Sequence, residues 1–265
     1  MDTLTAMKVF CSVVENDSLA GASRTLNVSP SVVSKQLSGL EDRLAEIAVS
    51  QAHSAPRGLL KVTAPTTFAH RHVAPHLPEF LDRYPEVEVQ LLVNDRVVDL
   101  VDEGIDLAIR IAQLKDSSLI ARKLAVNHRM LVASPDYLNK WGQPETPDQL
   151  SDHSLITYAP GNPINDWHFM VDNQQKILRA KGTLAMNNGD SVLQTVLSGG
   201  GLAMLAAFMA GEHVKSGKLV TLLEDYVRED VPIYAVYPSG RHLSPKVRAF
   251  VDFLVDLYNP TPYWL

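Results

Sequence analysis

Ser31, Ser34, Lys35 and Ser38 recur at i, i+3, i+4 and i+7, so on a helix they share one face. Small hydroxyls allow close approach to the floor of a DNA major groove. Lys35 can reach a phosphate or a guanine edge, and Gln36 at the margin of the face carries the amide that pairs with adenine. Arg24 and Ser29, just ahead in the chain, complete this candidate DNA-binding set. The same pattern also describes an ordinary solvated helix face, and composition alone does not separate the two.

A second group of residues suits anion binding. In "APTTF" (64–68), Thr66 and Thr67 stand at a strand-to-helix junction, followed by Phe68. Their hydroxyls and nearby backbone N–H groups can hold a carboxylate at a helix N-terminus. "NNGDSV" (187–192) offers Asn188, Asp190 and Ser191 at a second such junction. Taken alone, each junction is a helix cap that satisfies backbone donors. Arg110, ending "DLAIRI", can meet an anion or pair with a neighbouring acid.

Other chemistries find less support. His72 and His76 in "HRHVAPH" are spaced as a metal pair, but no carboxylate or cysteine completes a set and Pro75 lies between them. "SGGG" (198–201) follows a helix and precedes a strand, the wrong order for a phosphate-binding glycine loop, and reads as a helix C-terminus. No G-x-S-x-G, H-E-x-x-H or P-loop occurs, and Asp99, Asp102 and Glu103 read as a solvated helix face. No metal, cofactor or enzymatic activity is expected.

The elements that position these residues follow from periodicity. Apolar residues at 4, 7, 10, 13 and 14 predict a first helix, Ser18 caps a second over about 19–26, and Ser29-Pro30 starts a third. The tight turn "NVS" makes the last two a helix-turn-helix. Val33, Leu37, Leu40, Leu44 and Ile47 stay in phase, so the third helix can continue to about Ala52. After Gly58 strands and helices alternate: strands at 59–65, 87–93 and 106–111, with helices at 68–84 and 95–104. That order implies an α/β fold with a mainly parallel sheet. A second set starts at 129–134 and continues with a hairpin around "DNQQK", a helix at 191–199 and a strand at 202–208. A strand at 233–238 and a helix at 244–258 return to the first lobe.

Length and composition are consistent with this plan. The 265 residues, 46% hydrophobic and 20% charged, suit a helical head on a bilobed body. The formal charge of −6 and the absence of a basic excess in the first 45 residues mean that DNA contact must rest on shape and a few placed groups. A single cysteine, Cys11, fits a reducing compartment and reads as buried. The start "MDTLTAMKVF" lacks the basic opening of a signal peptide, no apolar stretch is long enough to span a membrane, and the cytoplasm is expected.

"FCSVVENDSLAGASRTLNVSPSVVSKQLSGLEDRLA" resembles the winged helix-turn-helix of LysR-type transcriptional regulators. The resemblance resumes from "GLLKVTAPTTF" through "DLAIRI", "ASPDYL" and "GDSVLQTVLSGGGLAML" to "VRAFVDFLVD". It implies a DNA-binding regulator with a doubly wound, bilobed effector domain folded like a periplasmic binding protein. A small, anionic effector would bind between the lobes, at Thr66, Thr67, Phe68, Arg110, Asn188, Asp190 and Ser191. It also implies a homodimer or homotetramer. The expected division is a helix-turn-helix over 1–45, a short helical linker over 46–57 and an effector domain over 58–265. Lobe I takes about 58–127 and 231–265, and lobe II about 128–230. The sequence departs from the family after Ala45, where Glu46-Ile47-Ala48 stands in place of an arginine-bearing β-hairpin wing. That departure supports an alternative, a ligand sensor or decoy subunit without DNA binding.

Overall fold

The computed structural model describes residues 3–52, 55–96, 98–112, 119–158, 165–182, 184–227, 230–239 and 243–264. The side chains of 3, 4 and 42–52 are outside that description, as are residues 53 and 54 of the expected linker. The chain divides into a helical unit, Met1–Ala55, and an α/β unit of Pro56–Gly240 with Lys246–Leu265.

In the helical unit, α1 (Thr3–Asn16), α2 (Leu19–Thr25) and α3 (Pro30–Ala52) surround a small core. Val9, Ala22 and Val33 are buried there, with Val13, Leu26 and Leu37 packed against them. Local chemistry sets the turns. The Ser18 hydroxyl accepts from the Gly21 N–H at 3.0 Å and caps α2. Between α2 and α3, Asn27 takes a left-handed conformation (φ 52°), and the Ser23 hydroxyl donates to the Val28 carbonyl at 2.5 Å. Cys11 is exposed, contrary to the expectation of a buried thiol: it sits on the side of α1 turned from the core. The described part of this unit holds no strand, and α3 runs unbroken through the point where a wing would leave the chain.

The α/β unit is organised by one long strand. Its strands are β1 (Gly58–Ala64), β2 (Val87–Val93), β3 (Leu107–Ile111), β4 (Leu119–Ala133), β5 (Ile156–Tyr158), β6 (Asp166–Val171), β7 (Gln174–Arg179), β8 (Leu184–Met186), β9 (Ala203–Ala206), β10 (Val220–Leu222) and β11 (Asp230–Pro238). The main sheet has the order β10-β4-β11-β3-β1-β2, with β9 also on β4. The first part of β4 pairs with β11 in lobe I, while Arg129–Ala133 pairs with β9 and β10 in lobe II. The expected mainly parallel sheet is corrected to a mixed one: β1 is parallel to β2 and β3, but β4 and β11 return antiparallel to their neighbours.

Helices cover the sheet. After β1 come α4 (Thr66–Phe68), a π turn at Ala69–Val73, a 3-10 turn at Ala74–His76 and α5 (Leu77–Arg83). Pro75 and Pro78 offer no N–H, so the helical ladder changes form around them. Lobe II carries α6 (Pro135–Trp141), α7 (Gly189–Leu197) and α8 (Ala207–Lys215), and α9 (Pro245–Tyr258) returns to lobe I. There Phe80, Phe250 and Phe253 stack with ring centroids 4.9 and 5.4 Å from Phe80. Lobe II buries Trp167, Phe169, Leu131, Leu150 and Leu202. The hairpin β6–β7 turns on Asp172 and Asn173, both at positive φ, as a two-residue turn requires.

The helix expected over 95–104 is absent among the described residues. The Asp99 carboxylate accepts the N–H groups of Val101 and Asp102, and the segment closes as turns ending at Gly104. A side chain that bonds its own backbone competes with the helix ladder. The strand at 202–208 also gives way earlier, with α8 starting at Ala207.

Gly201 marks a close approach of two chains in lobe II. Its φ is 150°, and a Cβ would lie 2.2 Å from the Ser154 carbonyl oxygen, which itself accepts from the Leu202 N–H. Neither backbone can move without losing that bridge. Gly201→Ala is therefore expected to lower the stability of this unit by about 3 kcal/mol. A urea-denaturation midpoint unchanged from wild type would refute the contact.

Candidate functional site

Three strand ends converge on one point in the α/β unit. β1 delivers Thr66, Thr67 and Arg71 through the turns that follow it; β5 ends at Tyr158; β8 leads to Asn188, Gly189 and Asp190 at the start of α7. Ligands collect at the carboxyl ends of strands in such architectures. The point where they meet is held by one carboxylate. Asp190 Oδ2 accepts from the Thr67 hydroxyl at 3.0 Å, and Oδ1 accepts from Arg71 Nε and Nη2 at 3.1 and 2.9 Å. The pair is half-buried, with side chains 26% and 31% exposed, so it is screened less than a surface ion pair.

Close packing accompanies this bridge. A Cβ on Gly189 would stand 2.9 Å from the Tyr158 hydroxyl, 2.9 Å from Met209 Cε and 3.1 Å from Thr67 Oγ1. Burial, with Asp95 and Asp190 nearby, raises the Tyr158 phenol to about 12, so it remains a neutral hydrogen-bonding group. The Thr66 N–H donates to Asp95 Oδ1 at 2.8 Å. Two of the donors expected to meet a ligand carboxylate, the Thr66 N–H and the Thr67 hydroxyl, are thus engaged by carboxylates of the chain itself.

The remaining expected residues are placed as follows. Asn188 accepts from the Ser191 N–H at 3.0 Å and serves as the cap of α7. Arg110 bonds to backbone among the described residues. Its guanidinium donates to the carbonyls of Arg96 (3.4 Å) and Val98 (3.1 Å), and burial lowers its pKa. Phe68 is fully buried, edge-on to Phe208, Tyr258 and Trp264. Arg71, Tyr158, Asp95 and Met209 were not anticipated. Arg71 had a signal, since it lies one helical turn beyond Thr67 and so on the same face.

His72 faces the opposite way from Arg71. Its Nε2–H donates to the Phe208 carbonyl at 3.0 Å, which leaves Nδ1 to accept from the Tyr263 hydroxyl at 2.6 Å. Both ring nitrogens are therefore taken, and the Trp264 ring lies 4.6 Å away by centroid. His76 approaches only the Tyr263 hydroxyl, at 3.4 Å. Among the described residues no group of three or more His, Cys, Asp or Glu stands together as a metal site.

In the helical unit, Arg24, Ser29, Ser31, Ser34, Lys35 and Ser38 are all exposed. Ser31 bonds the Ser29 hydroxyl at 2.9 Å at the start of α3. Gln36 differs: the residue is half-buried, and among the described residues its buried Oε1 has no hydrogen-bond partner.

Comparison with known proteins covers both units. The family "Bacterial regulatory helix-turn-helix protein, lysR family" matches residues 4–47, and the "LysR substrate binding domain" matches residues 53–259. An uncharacterised HTH-type transcriptional regulator of Haemophilus influenzae is 31% identical over 281 positions, covering 93% of this chain and 98% of that protein. The Escherichia coli regulator DmlR is 32% identical over 286 positions, covering 95% and 93%. Both alignments are longer than the chain, so each relative has residues without a counterpart in it. Among solved structures, CrgA, a LysR-type transcriptional regulator from Neisseria meningitidis, superposes with a TM-score of 0.71 at 26% identity, covering 95% of this chain and 97% of that one.

Burial holds the His72 imidazole down at about 4, below its ordinary 6.5, so it is neutral in the folded protein. The unfolded chain takes up this proton as pH falls below about 6.5, while the folded chain does so only near 4. The stability that neutral His72 contributes is present above 6.5 and is lost as the pH falls towards 4. Between pH 7 and pH 5 the expected loss is about 2 kcal/mol. In urea titrations His72→Gln should show a shallower pH slope over that window; an unaltered slope would acquit His72.

Proposed function

Because the chain belongs to the LysR family of transcriptional regulators, with both the helix-turn-helix and the substrate-binding domain, we propose that it reads DNA through α3 under control of a small organic acid bound between the lobes. The family is one of regulators and not of enzymes. The ligand-sensor or decoy alternative is not favoured, since the helix-turn-helix match extends over 4–47 and the relatives are named as regulators. What carries the effector reading is the meeting of Thr67 and Arg71 on one lobe with α7 on the other.

In this reading Lys35 meets phosphate or a guanine edge, with Arg24, Ser29, Ser31, Ser34 and Ser38 lining the contact. Gln36 addresses adenine from the margin of that face. The protein works as a symmetric dimer or tetramer, in which the effector biases the spacing of the DNA-binding heads; it can do so only by binding the alternative arrangements with different affinities. Without a wing, DNA affinity rests on few phosphate contacts, and each one contributes about one unit to the salt slope. A cytoplasmic location fits this role, and no described helix is long and apolar enough to cross a membrane.

Binding to the DNA upstream of its own gene, against scrambled DNA and at two salt concentrations, tests the reading. A preference that survives moderate salt is expected for wild type. Lys35→Ala should weaken both complexes by the same factor and lower the salt slope by about one. Equal, weak binding of wild type to both DNAs would sink the regulatory reading.

A further inference from the structure

The seat suited to an effector's carboxylate already holds one. Thr67 donates its hydroxyl, and Arg71 donates through Nε and Nη2, to the two oxygens of Asp190. Both guanidinium N–H groups converge on Oδ1 and the hydroxyl takes Oδ2, so each carboxylate oxygen is held by a donor of lobe I, and the bonds to the cation are charge-assisted. These partners lie 119 and 123 residues from Asp190 in sequence and come from opposite lobes. The space beside them is narrow: a Cβ on Gly189 would stand 2.9 Å from the Tyr158 hydroxyl and from Met209 Cε, and 3.1 Å from Thr67 Oγ1. The nearby donor at Thr66 is likewise taken, by Asp95.

We propose that Asp190 is a built-in stand-in for the ligand: its carboxylate occupies the effector's anion seat and latches the lobes, and an acidic effector acts by displacing it. This rests on the effector reading given above and specifies how that site is controlled. Displacement frees Asp190 from Arg71 and Thr67 and replaces an attachment between lobes by one between lobe I and a free molecule. The differential interaction that a ligand needs in order to shift a conformational equilibrium is thereby supplied by one exchange of carboxylates. A ligand bearing a cationic group fits the opposite arrangement, in which Asp190 and Asp95 are themselves the recognising groups.

The test is chemical rescue of the full chain. Asp190→Ala empties the seat and leaves the Arg71 cation without its counter-ion, so its melting temperature should fall by about 3 °C or more. Sodium acetate and sodium formate should then raise the melting temperature of Asp190→Ala more than that of wild type, relative to sodium chloride at the same ionic strength. The excess should vanish in Arg71→Ala/Asp190→Ala, which lacks the receiving guanidinium. Should Asp190→Ala not fold, Asp190→Ser, which also empties the seat but keeps a small polar group at the start of α7, takes the same salts. Equal responses of wild type and variant overturn the proposal. So does stabilisation of wild type by methylammonium in place of any acetate response in the variant. The readout does not involve DNA: a chain that shows acetate rescue but binds no upstream DNA refutes the regulatory reading and leaves the seat established.

Discussion

The α/β unit depends on β4 being one strand that serves two lobes. Buried backbone donors and acceptors must be paired, and β4 meets that demand on both sides of the cleft within a single run of 15 residues. β11 lies beside it from Asp230 to Pro238, with a register shift between Ile233 and Tyr234. Such a shift interrupts the ladder and adds local twist. The lobes are therefore joined through continuous sheet. β1, β5 and β8 lead into the point where Thr67 and Arg71 meet Asp190.

One short helical stretch serves both the cleft and the core. The π turn at Ala69–Val73 is wider than an α turn and carries Arg71 and His72 in succession. Arg71 goes to Asp190; His72 goes to the Phe208 carbonyl and the Tyr263 hydroxyl, among Phe68, Phe208 and Trp264. The Tyr258 hydroxyl fixes the same turn by donating to the His72 carbonyl at 2.5 Å. A buried neutral imidazole with both nitrogens bonded avoids the desolvation cost that a charged ring would meet there. The guanidinium next to it is 26% exposed and is paired with Asp190. Rigid placement of His72 thus restricts where Arg71 can point.

Much of this fold was legible in the sequence. Periodic apolar spacing gave α1 and the long α3, and Ser29-Pro30 marked where α3 begins. Strand direction is not encoded in period, so the antiparallel returns of β4 and β11 were missed. The segment 95–104 has helical spacing, yet the Asp99 carboxylate satisfies two N–H groups locally and a helix does not form. In the cleft, strand-to-helix junctions pointed to Thr67 and Asp190 individually. Their pairing with each other and with Arg71 was invisible, since nothing local links residues so far apart. Cys11 shows the converse limit: apolar neighbours in sequence do not say which side of a helix a residue takes.

The bridge from Asp190 to Thr67 and Arg71 also bears on sensitivity. In the proposed exchange, an acid entering that seat competes with a group that is covalently tethered beside it, and tethered groups act at effective concentrations in about the millimolar range or above. Under that proposal scarce acids are outcompeted even when their own contacts are good, while abundant ones are not. The response threshold it implies is set by how firmly the chain holds its own carboxylate in place, so substitutions that loosen α7 would shift it without touching a ligand contact.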